Sequence, residues 1–303
     1  MSVLAVTGGT GFVGGHLLQM AVEAGQSIRA LTRKDRPPVD GIQWVSGRLS
    51  DPASLEELAQ GASTIIHIAG AIRAADRAGF AAPNIEGTRH MIAAARDAGI
   101  RRFIHISSLA AREPDLSDYG WSKAESETVV QESGLDWTII RPPAVYGPGD
   151  GETLDLFAMA KRGLVILPPQ GRTSLIHVRD LCALILAAIE AETAIDATYE
   201  PDDDTTNGLS HVAFAEALGR AVEKSVRTVS MPAPLVRLGA RLDGLFRGDD
   251  AKLTPDRARY FCHPDWVANP ALKPPETLWS PQIPHESGLA DTARWYLDQR
   301  WLT

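Results

Sequence analysis

The fold is decided by the stretch Val6-Thr7-Gly8-Gly9-Thr10-Gly11-Phe12-Val13-Gly14, which follows a short apolar run. Glycine at a strand-to-helix turn lets the backbone turn tightly and approach a pyrophosphate with no Cβ in the way. The helix that begins after such a turn offers free N–H groups and the positive end of its dipole to the phosphates. A glycine-rich turn without a ligand is the alternative interpretation, and the order of strand, glycines and helix disfavours it.

Outward from this loop, short β-branched runs alternate with helical patterns as far as Arg141. Strands are predicted at Val3–Thr7, Ser27–Thr32, Gln43–Ser46, Thr64–Ile68, Arg102–Ile106 and Asp136–Arg141. Helices are predicted between them at Gly14–Ala24, Pro52–Leu58, Gly87–Ala98 and Ser122–Glu132. Because parallel strands need right-handed crossovers, this alternation predicts an α/β fold with a Rossmann-type, doubly wound parallel sheet. Ligands of such sheets bind at the carboxyl ends of the strands.

The pattern changes after Gly149, where prolines and polar loops become frequent. Helical patterns continue at Thr153–Lys161, Val178–Ile189, Ser210–Val222, Pro234–Leu245 and Gly288–Arg300. We therefore predict a dinucleotide-binding Rossmann domain over residues 1–150, with residues 170–195 returning to the sheet. A smaller, mainly helical substrate-binding lobe is predicted over residues 151–303.

The composition is that of an ordinary globular protein, since 44% of the 303 residues are hydrophobic and 22% are charged. The formal net charge of −8 argues against a phosphate-backbone partner, so no nucleic acid is expected. The longest apolar run, Leu181–Ile189, is far shorter than the roughly 20 residues of a membrane-spanning helix. No membrane partner is expected on that ground.

Cysteine and histidine usage gives no sign of a metal site. Cys182 and Cys262 are the only cysteines, and neither they nor the scattered histidines have ligand spacing. The residues before the glycine loop lack the charged region and cleavage site of a signal peptide. The two cysteines without ligand spacing and the lack of signal-peptide features predict a cytoplasmic protein without a metal.

The choice of nicotinamide cofactor is indicated at the end of the second predicted strand. The ribose-binding acid of NAD enzymes lies about 20 residues beyond the glycines. Here the window reads Leu31-Thr32-Arg33-Lys34, with no carboxylate before Asp35. Arg33 can bind a 2′-phosphate bidentately, and Thr32 can add a hydroxyl donor. A merely solvated charged loop is the alternative, and we predict NADP(H) in preference to NAD(H).

A tyrosine and a lysine lie one helical turn apart in Tyr119-Gly120-Trp121-Ser122-Lys123. A phenol titrates near pH 10, which is too high for easy acid–base work at neutrality. A neighbouring ammonium is expected to stabilise the phenolate and to lower the pKa of Tyr119. Ser107-Ser108 follows a predicted strand, so at least one hydroxyl is expected at the same rim, where it can bind a substrate oxygen.

Taken together, these motifs resemble the short-chain dehydrogenase/reductase superfamily, in its extended and atypical branches of NAD(P)-dependent epimerases, dehydratases and reductases. The resemblance is carried by the glycine loop, the serine pair and the Tyr119/Lys123 pair. Further matching stretches are Ile66-His67-Ile68-Ala69-Gly70, Asn84-Ile85-Glu86-Gly87-Thr88, Arg141-Pro142-Pro143-Ala144-Val145-Tyr146-Gly147-Pro148-Gly149-Asp150 and Ile176-His177-Val178-Arg179-Asp180.

The resemblance implies a role for individual residues. Tyr119 is the implied catalytic acid–base, Lys123 its partner and a ligand of the nicotinamide ribose, and Ser108 the catalytic hydroxyl, with Ser107 as the fallback. Asn84 is implied to support the central helix. The implied cofactor-binding residues are Gly8, Gly11 and Gly14 in the phosphate loop, Phe12 and Val13 beside the pyrophosphate, Ala69 and Gly70 along the cofactor, and Pro142, Pro143 and Ala144 near the nicotinamide carboxamide.

The sequence departs from the family after the third strand, where Gly47-Arg48-Leu49 stands in place of the usual Gly-Asp. Adenine recognition must therefore differ, through the backbone or Asp51. Arg48 becomes a further candidate for the 2′-phosphate site, and Arg48 and Leu49 are both predicted to contact the cofactor.

Three functions fit the resemblance. The first is an oxidoreductase for a carbonyl/alcohol pair in a small, largely apolar substrate, because Arg141–Asp150 is similar to the same stretch of 3β-hydroxysteroid dehydrogenases and dihydroflavonol reductases. The second is a nucleotide-sugar epimerase or dehydratase. The third is a non-catalytic NADPH-binding accessory protein that resembles a complex I subunit. The family dimer surface would lie on the helices Gly87–Ala98 and Ser122–Glu132, which leaves a homodimer open beside a monomer.

Overall fold

The chain divides into two compact units, each with its own core. The computed structural model describes residues 3–247 and 253–302. Within them, the first unit comprises the chain up to Pro142 together with Cys182–Glu200 and Pro274–Ser280. The second unit comprises Pro143–Leu181, Pro201–Lys273 and the residues from Pro281 onwards.

The elements up to the end of the sixth strand alternate between strand and helix. In chain order they are β1 (Val3–Thr7), α1 (Phe12–Glu23), β2 (Ser27–Thr32), β3 (Ile42–Ser46), α2 (Pro52–Ala59), β4 (Thr64–His67), α3 (Arg77–Ala81), α4 (Gly87–Asp97), β5 (Arg102–Ile106), α5 (Asp118–Gln131) and β6 (Asp136–Ile140).

The remaining elements are more varied. In chain order they are β7 (Ala144–Tyr146), α6 (Leu154–Lys161), β8 (Leu164–Leu167), β9 (Arg172–Thr173), β10 (Leu175–His177), α7 (Val178–Ala187), β11 (Ala197–Tyr199), β12 (Leu209–Ser210), α8 (His211–Ala221), β13 (Arg227–Ser230), α9 (Ala233–Arg247), α10 (Pro255–Phe261), β14 (Asp265–Trp266) and α11 (His285–Asp298).

The first unit contains a seven-stranded parallel sheet in the order β11-β6-β5-β4-β1-β2-β3. The chain runs outward from β1 to β3 and then crosses back to β4 on the other side of β1, so the order reverses between β1 and β4. Thr7 is in register with His67, and the loops after these two strands therefore leave the sheet side by side. A reversal of strand order opens the crevice in which ligands of these sheets bind.

The sequence predictions for this sheet are confirmed. All six predicted strands are present, and their bounds differ from the prediction by no more than one residue at an end. Helix α5 begins at Asp118 rather than at Ser122, because the Ser117 side chain accepts a hydrogen bond from the Gly120 N–H at 2.9 Å and caps the helix. Tyr119 therefore lies in the first turn of α5.

Within the segment 170–195, which was predicted to return to the sheet, the residues from Cys182 onwards belong to the first unit and those before it belong to the second. Strand β10, in that segment, pairs with β7 in a separate two-stranded sheet, and β11 at 197–199 is the strand that pairs with β6. The short strands of the second unit form two further small sheets, β12-β9-β14 and β13-β8. Strands of two to four residues are too short to show a hydrophobic period, so the sequence did not indicate them.

Each unit buries its own apolar cluster. In the first, helices α2, α4 and α5 pack on the sheet around Leu55, Met91 and Phe103, all fully buried. In the second, α6, α8 and α11 surround Phe157 and Tyr296. Among the described residues no helix combines the length and the apolarity needed to cross a bilayer.

Candidate active site

The glycine loop after β1 is built around two glycines that the protein's own packing requires. Gly8 has a φ of +78°, and a Cβ on it would lie 2.6 Å from the Ala69 nitrogen. A Cβ on Gly14 would lie 2.1 Å from the Gly8 carbonyl oxygen, because α1 packs directly on the loop. Both substitutions would collide with backbone, so these positions accept only glycine.

Gly11 is different, because the protein itself leaves room for a side chain there. Gly11 caps α1 with a φ of −86°, and a Cβ would meet only the Gly8 carbonyl oxygen, at 3.4 Å, which is ordinary contact. Phe12 and Val13 form the first turn of the helix, and both are half-buried. The missing Cβ thus leaves open space at a helix N-terminus, which fits the diphosphate of a dinucleotide.

The loops after β2 and β3 lie together at the same end of the sheet. The Gly47 N–H donates to the Thr32 carbonyl oxygen at 2.8 Å and ties the two loops. Arg33 and Arg48, each just beyond a strand end, are both exposed. Thr32 is buried, and its hydroxyl donates to the Lys34 carbonyl oxygen at 2.7 Å, so it closes the turn instead of offering the donor that the sequence analysis expects.

Leu49 and the loop after β4 have structural partners. Leu49 packs against Gly87, where an added Cβ would lie 2.7 Å from a Leu49 methyl, and its carbonyl oxygen is bonded to the His90 ring at 2.8 Å. The Ala69 N–H donates to the Thr7 hydroxyl at 3.3 Å. These bonds fix the backbone on which a cofactor would lie.

Asn84 connects the β4 loop to α5. Its side chain accepts from the Ala71 N–H at 2.7 Å and donates to the Ala71 carbonyl oxygen at 3.0 Å and to the Ser122 hydroxyl at 2.8 Å. A Cβ on Gly70 would lie 2.7 Å from the Asn84 side-chain oxygen, so Gly70 allows this close approach. Asn84 itself is almost fully buried and sits in a π-helical turn, Ala82–Glu86.

Tyr119, Ser108 and Lys123 form a cluster at the carboxyl end of β5. The Tyr119 and Ser108 hydroxyls are hydrogen-bonded, and the Phe80 ring lies 6.0 Å from the Tyr119 ring, centre to centre. Lys123 is buried, and its Nζ donates to the Ile106 carbonyl oxygen, the last of β5, at 2.8 Å. The structure thus brings together the three residues proposed for catalysis.

The electrostatics differ from the sequence expectation in one respect. We expected the Lys123 ammonium to lower the pKa of Tyr119, but burial raises that pKa, and only the Ser108 hydrogen bond opposes the rise. Burial also lowers the pKa of Lys123 to about 8, against the opposing charge of Glu127. Tyr119 is therefore a protonated phenol at neutral pH, and burial by itself makes it a weaker acid than a free phenol.

The two serines after β5 have different partners. The Ser107 hydroxyl donates to the Glu127 carboxylate, and its N–H donates to the Ile140 carbonyl oxygen at 2.7 Å. The Ser108 hydroxyl accepts from the Ala110 N–H at 3.2 Å and bonds to Tyr119. This geometry favours Ser108 over Ser107 as the hydroxyl that meets a substrate.

A buried ionic network behind this cluster was missed by the sequence analysis. Glu127 pairs with Arg141 through Nε at 2.9 Å and Nη2 at 2.6 Å. Arg141 also reaches Glu200 at 3.3 Å, and Arg112 reaches the other Glu200 oxygen at 3.3 Å. One signal was available, since Glu127 lies a helical turn after Lys123 on the same face of α5. Glu200 follows β11, a strand that was not predicted.

The remaining predicted residues lie next to the point along the chain where the first unit ends and the second begins. Pro142 is buried at the end of the first segment, and its carbonyl oxygen accepts from the Leu109 N–H at 3.1 Å. Ala144, exposed at the start of β7, belongs to the second unit. Among the described residues no group of three or more His, Cys, Asp or Glu side chains could hold a metal ion.

Comparison with known proteins agrees with this architecture. The family model described as NAD dependent epimerase/dehydratase family matches residues 4–200. The chain is 36% identical to the ceramide reductase of Caulobacter vibrioides (strain NA1000 / CB15N), over 99% of this chain and 96% of that protein. It is 32% identical to the 4-hydroxy-2-methyl-3-oxo-4-farnesyl-3,4-dihydroquinoline-1-oxide ketoreductase of Stigmatella aurantiaca, over 61% of this chain and 64% of that protein.

A solved structure also resembles the whole chain. MoeE5 in complex with UDP-glucuronic acid and NAD has a TM-score of 0.75 and 18% sequence identity, with 100% of both chains covered. At this identity the likeness establishes the fold alone.

Two glycine variants test whether Gly11 leaves room for the cofactor while Gly14 is needed for the packing of the protein's own backbone. Gly11→Ala should lower dinucleotide affinity on the order of 100-fold, because the new methyl group occupies the approach to the phosphates. It should lower the free energy of unfolding by no more than about 1 kcal/mol, the usual cost of alanine at such a cap. Gly14→Ala should instead lower that free energy by about 3 kcal/mol or more, because the methyl group meets backbone. Cofactor titration measures the dinucleotide affinity, and urea denaturation measures the free energy of unfolding. An unchanged affinity in folded Gly11→Ala would contradict the placement of the phosphates.

A second prediction concerns the ionic network. Glu127→Ala should lower the free energy of unfolding by about 2 kcal/mol, because it leaves the partly buried Arg141 guanidinium with one carboxylate partner and removes the acceptor of Ser107. Glu125→Ala is the matched control, since Glu125 is exposed on the same helix and should change stability by less than about 0.5 kcal/mol. Equal stability of the two variants in urea would show that the network is not stabilising.

Proposed function

The chain belongs to the NAD dependent epimerase/dehydratase family, in the extended branch of the short-chain dehydrogenases/reductases, and we propose that it is an NADPH-dependent reductase of a ketone in a ceramide-like, long-chain substrate. It is thus an NAD(P)-dependent oxidoreductase. The observation that carries the proposed chemistry is the geometry at the end of β5, where the Tyr119 hydroxyl is hydrogen-bonded to Ser108 and Lys123 is bonded to Ile106.

The proposed reaction uses the cluster as follows. A bound nicotinamide supplies the hydride that reduces the carbonyl carbon. The Tyr119 hydroxyl transfers its proton to the carbonyl oxygen, which becomes the alcohol, and the Ser108 hydroxyl donates a hydrogen bond to the same oxygen as its charge grows. Lys123 lies one helical turn along α5 from the phenolate that remains. Its ammonium has three N–H groups, so the bond to Ile106 leaves donors for the nicotinamide ribose.

The preference for NADP(H) is supported by charge at the end of β2. Arg33 occupies the region in which NAD enzymes place a carboxylate for the ribose, and Arg48 follows the neighbouring strand. Two exposed guanidinium groups on loops joined by a backbone hydrogen bond suit a 2′-phosphate, whereas a carboxylate there would repel it.

The apolar substrate class is supported by the relatives. The relative named ceramide reductase matches over nearly the whole chain, so the similarity includes the second unit. The Stigmatella relative is named for a ketone on a farnesylated ring, which also joins a carbonyl to an apolar chain. The stretch Arg141-Pro142-Pro143-Ala144 lacks the asparagine with which nucleotide-sugar enzymes often bind the diphosphate, and this disfavours an epimerase.

The cofactor proposal is tested at Arg33. Arg33→Asp should weaken NADPH binding by roughly 10- to 100-fold, the worth of one to two charge-assisted hydrogen bonds, and should bind NADH at least as well as the wild type does. Arg162→Asp is the control, because it makes the same charge change at an exposed site in the second unit. Both cofactors are titrated by fluorescence against the three proteins. Tighter binding of NADH than of NADPH by the wild type would overturn the assignment.

The reaction is tested at Tyr119. The purified chain should oxidise NADPH when given a ceramide analogue that carries a ketone in its sphingoid chain, and Tyr119→Phe should lower turnover by a factor on the order of 10²–10⁴. Affinity for NADPH should be kept, because only the hydroxyl is lost.

Ser108→Ala and Ser107→Ala form a matched pair for the same assay. Ser108→Ala should lower turnover more, because the Ser107 hydroxyl is bonded to Glu127. A short ketone and a UDP-sugar complete the substrate panel. Turnover of the UDP-sugar alone would favour the epimerase alternative, and full activity of Tyr119→Phe would remove Tyr119 from the mechanism.

A further inference from the structure

Helix α9 carries a row of apolar side chains that face solvent. Leu235, Leu238, Leu242 and Leu245 recur every three or four residues, and Phe246 extends the row. All five are exposed, and Leu245 and Phe246 are 81% and 85% accessible. At about 100° per residue they fall within an arc of roughly 100° on the helix surface, so they form one continuous apolar stripe.

The stripe does not face the core of the second unit, because the opposite side of α9 is the side that is packed. Ala240 is fully buried on that side, and α10 packs against the helix. The Asp243 carboxylate accepts from the Leu253 N–H at 2.9 Å. Helix α9 is thus held in the second unit by one side and presents its leucines on the other.

A second exposed apolar face precedes α9 in the chain. Strands β8 and β13 pair in parallel, with Ile166 in register with Val229. Both are about half exposed, and so is Leu164, which points to the same side as Ile166 because strand residues alternate. Strand β13 ends just before α9 begins. Grouped exposed apolar residues of this kind mark an interaction surface, unlike scattered single ones.

Charge distinguishes between the candidate partners. Helix α9 carries three arginines and one aspartate, in a chain whose formal net charge is −8. Arg241 flanks the stripe and, like Arg237, is exposed, while Arg247 pairs with Asp243 at 3.4 Å. A second copy of this helix would bring arginines toward arginines. An anionic lipid surface complements both the leucines and the guanidinium groups.

We propose that α9 docks the protein on the surface of an anionic lipid bilayer. The stripe of Leu235, Leu238, Leu242, Leu245 and Phe246 enters the boundary between headgroups and acyl chains, and Arg241, at the margin of the stripe, meets the lipid phosphates. No membrane partner was expected from the sequence because no apolar run is long enough to span a bilayer, but a helix that lies in the interface needs no spanning length. This proposal does not depend on the identity of the substrate.

Vesicle flotation of the full chain tests the proposal without any measurement of activity. The wild type should float with vesicles of phosphatidylcholine and phosphatidylglycerol, and far less with vesicles of phosphatidylcholine alone. The triple variant Leu238→Gln, Leu242→Gln, Leu245→Gln should bind the anionic vesicles on the order of 100-fold more weakly, since it removes three partly inserted leucines. Arg241→Glu should weaken the same binding roughly tenfold, because it removes one attraction to the anionic surface and adds one repulsion.

The matched control replaces three apolar residues that are exposed elsewhere, Ile195→Gln, Val212→Gln and Leu297→Gln, and should bind as the wild type does. No flotation of the wild type, or equal flotation of the two triple variants, would overturn the proposal. Sedimentation velocity tests the alternative partner, which is a second copy of this chain. A wild-type dimer that the α9 variant makes monomeric, without vesicle binding, would instead identify the stripe as a contact between copies.

Discussion

A buried ammonium is the constraint on which the first unit depends. Lys123 lies beneath the carboxyl edge of the sheet, and an isolated charge in that position would be costly. Starting from Lys123, side chains of opposite charge therefore follow one another in the order Glu127, Arg141, Glu200 and Arg112. These residues come from α5, from the ends of β6 and β11, and from the turn after β5. The same network that neutralises the charge fixes these elements together.

Hydrogen bonds between neutral groups connect helix α5 to the start of the glycine loop. The Thr88 hydroxyl donates to the Asn84 carbonyl oxygen at 2.6 Å, so the His67 Nε2–H donates to Thr88 and the Thr7 hydroxyl donates to His67 Nδ1. Burial and, to a smaller extent, the charge of Lys123 together lower the pKa of His67 to about 3, so the ring stays neutral. Asn84 then continues to α5 through Ser122. Helix α5, which carries Tyr119 and Lys123, is thus joined to the start of the glycine loop by buried hydrogen bonds.

Much of this protein could be predicted from sequence because the signals are local. A strand, a glycine turn and a helix follow one another within a few residues, and β-branched runs of about five residues fix the strands of the sheet. The spacing of Tyr119 and Lys123 needs only the period of a helix. The family motifs then indicated the serine pair and Asn84. The structure places the serines at the end of β5 and Asn84 between the loop after β4 and α5.

The tertiary structure decided what depends on distant partners and on burial. Which serine meets Tyr119 follows from Glu127, which occupies the other serine, and the direction of the Tyr119 pKa follows from burial. The Thr32 hydroxyl turns back to its own loop. The helical pattern of α9 predicted a helix, but its leucines face solvent rather than a core. A period in the sequence shows that a helix has an apolar side, while only the packing of the other elements shows what that side contacts.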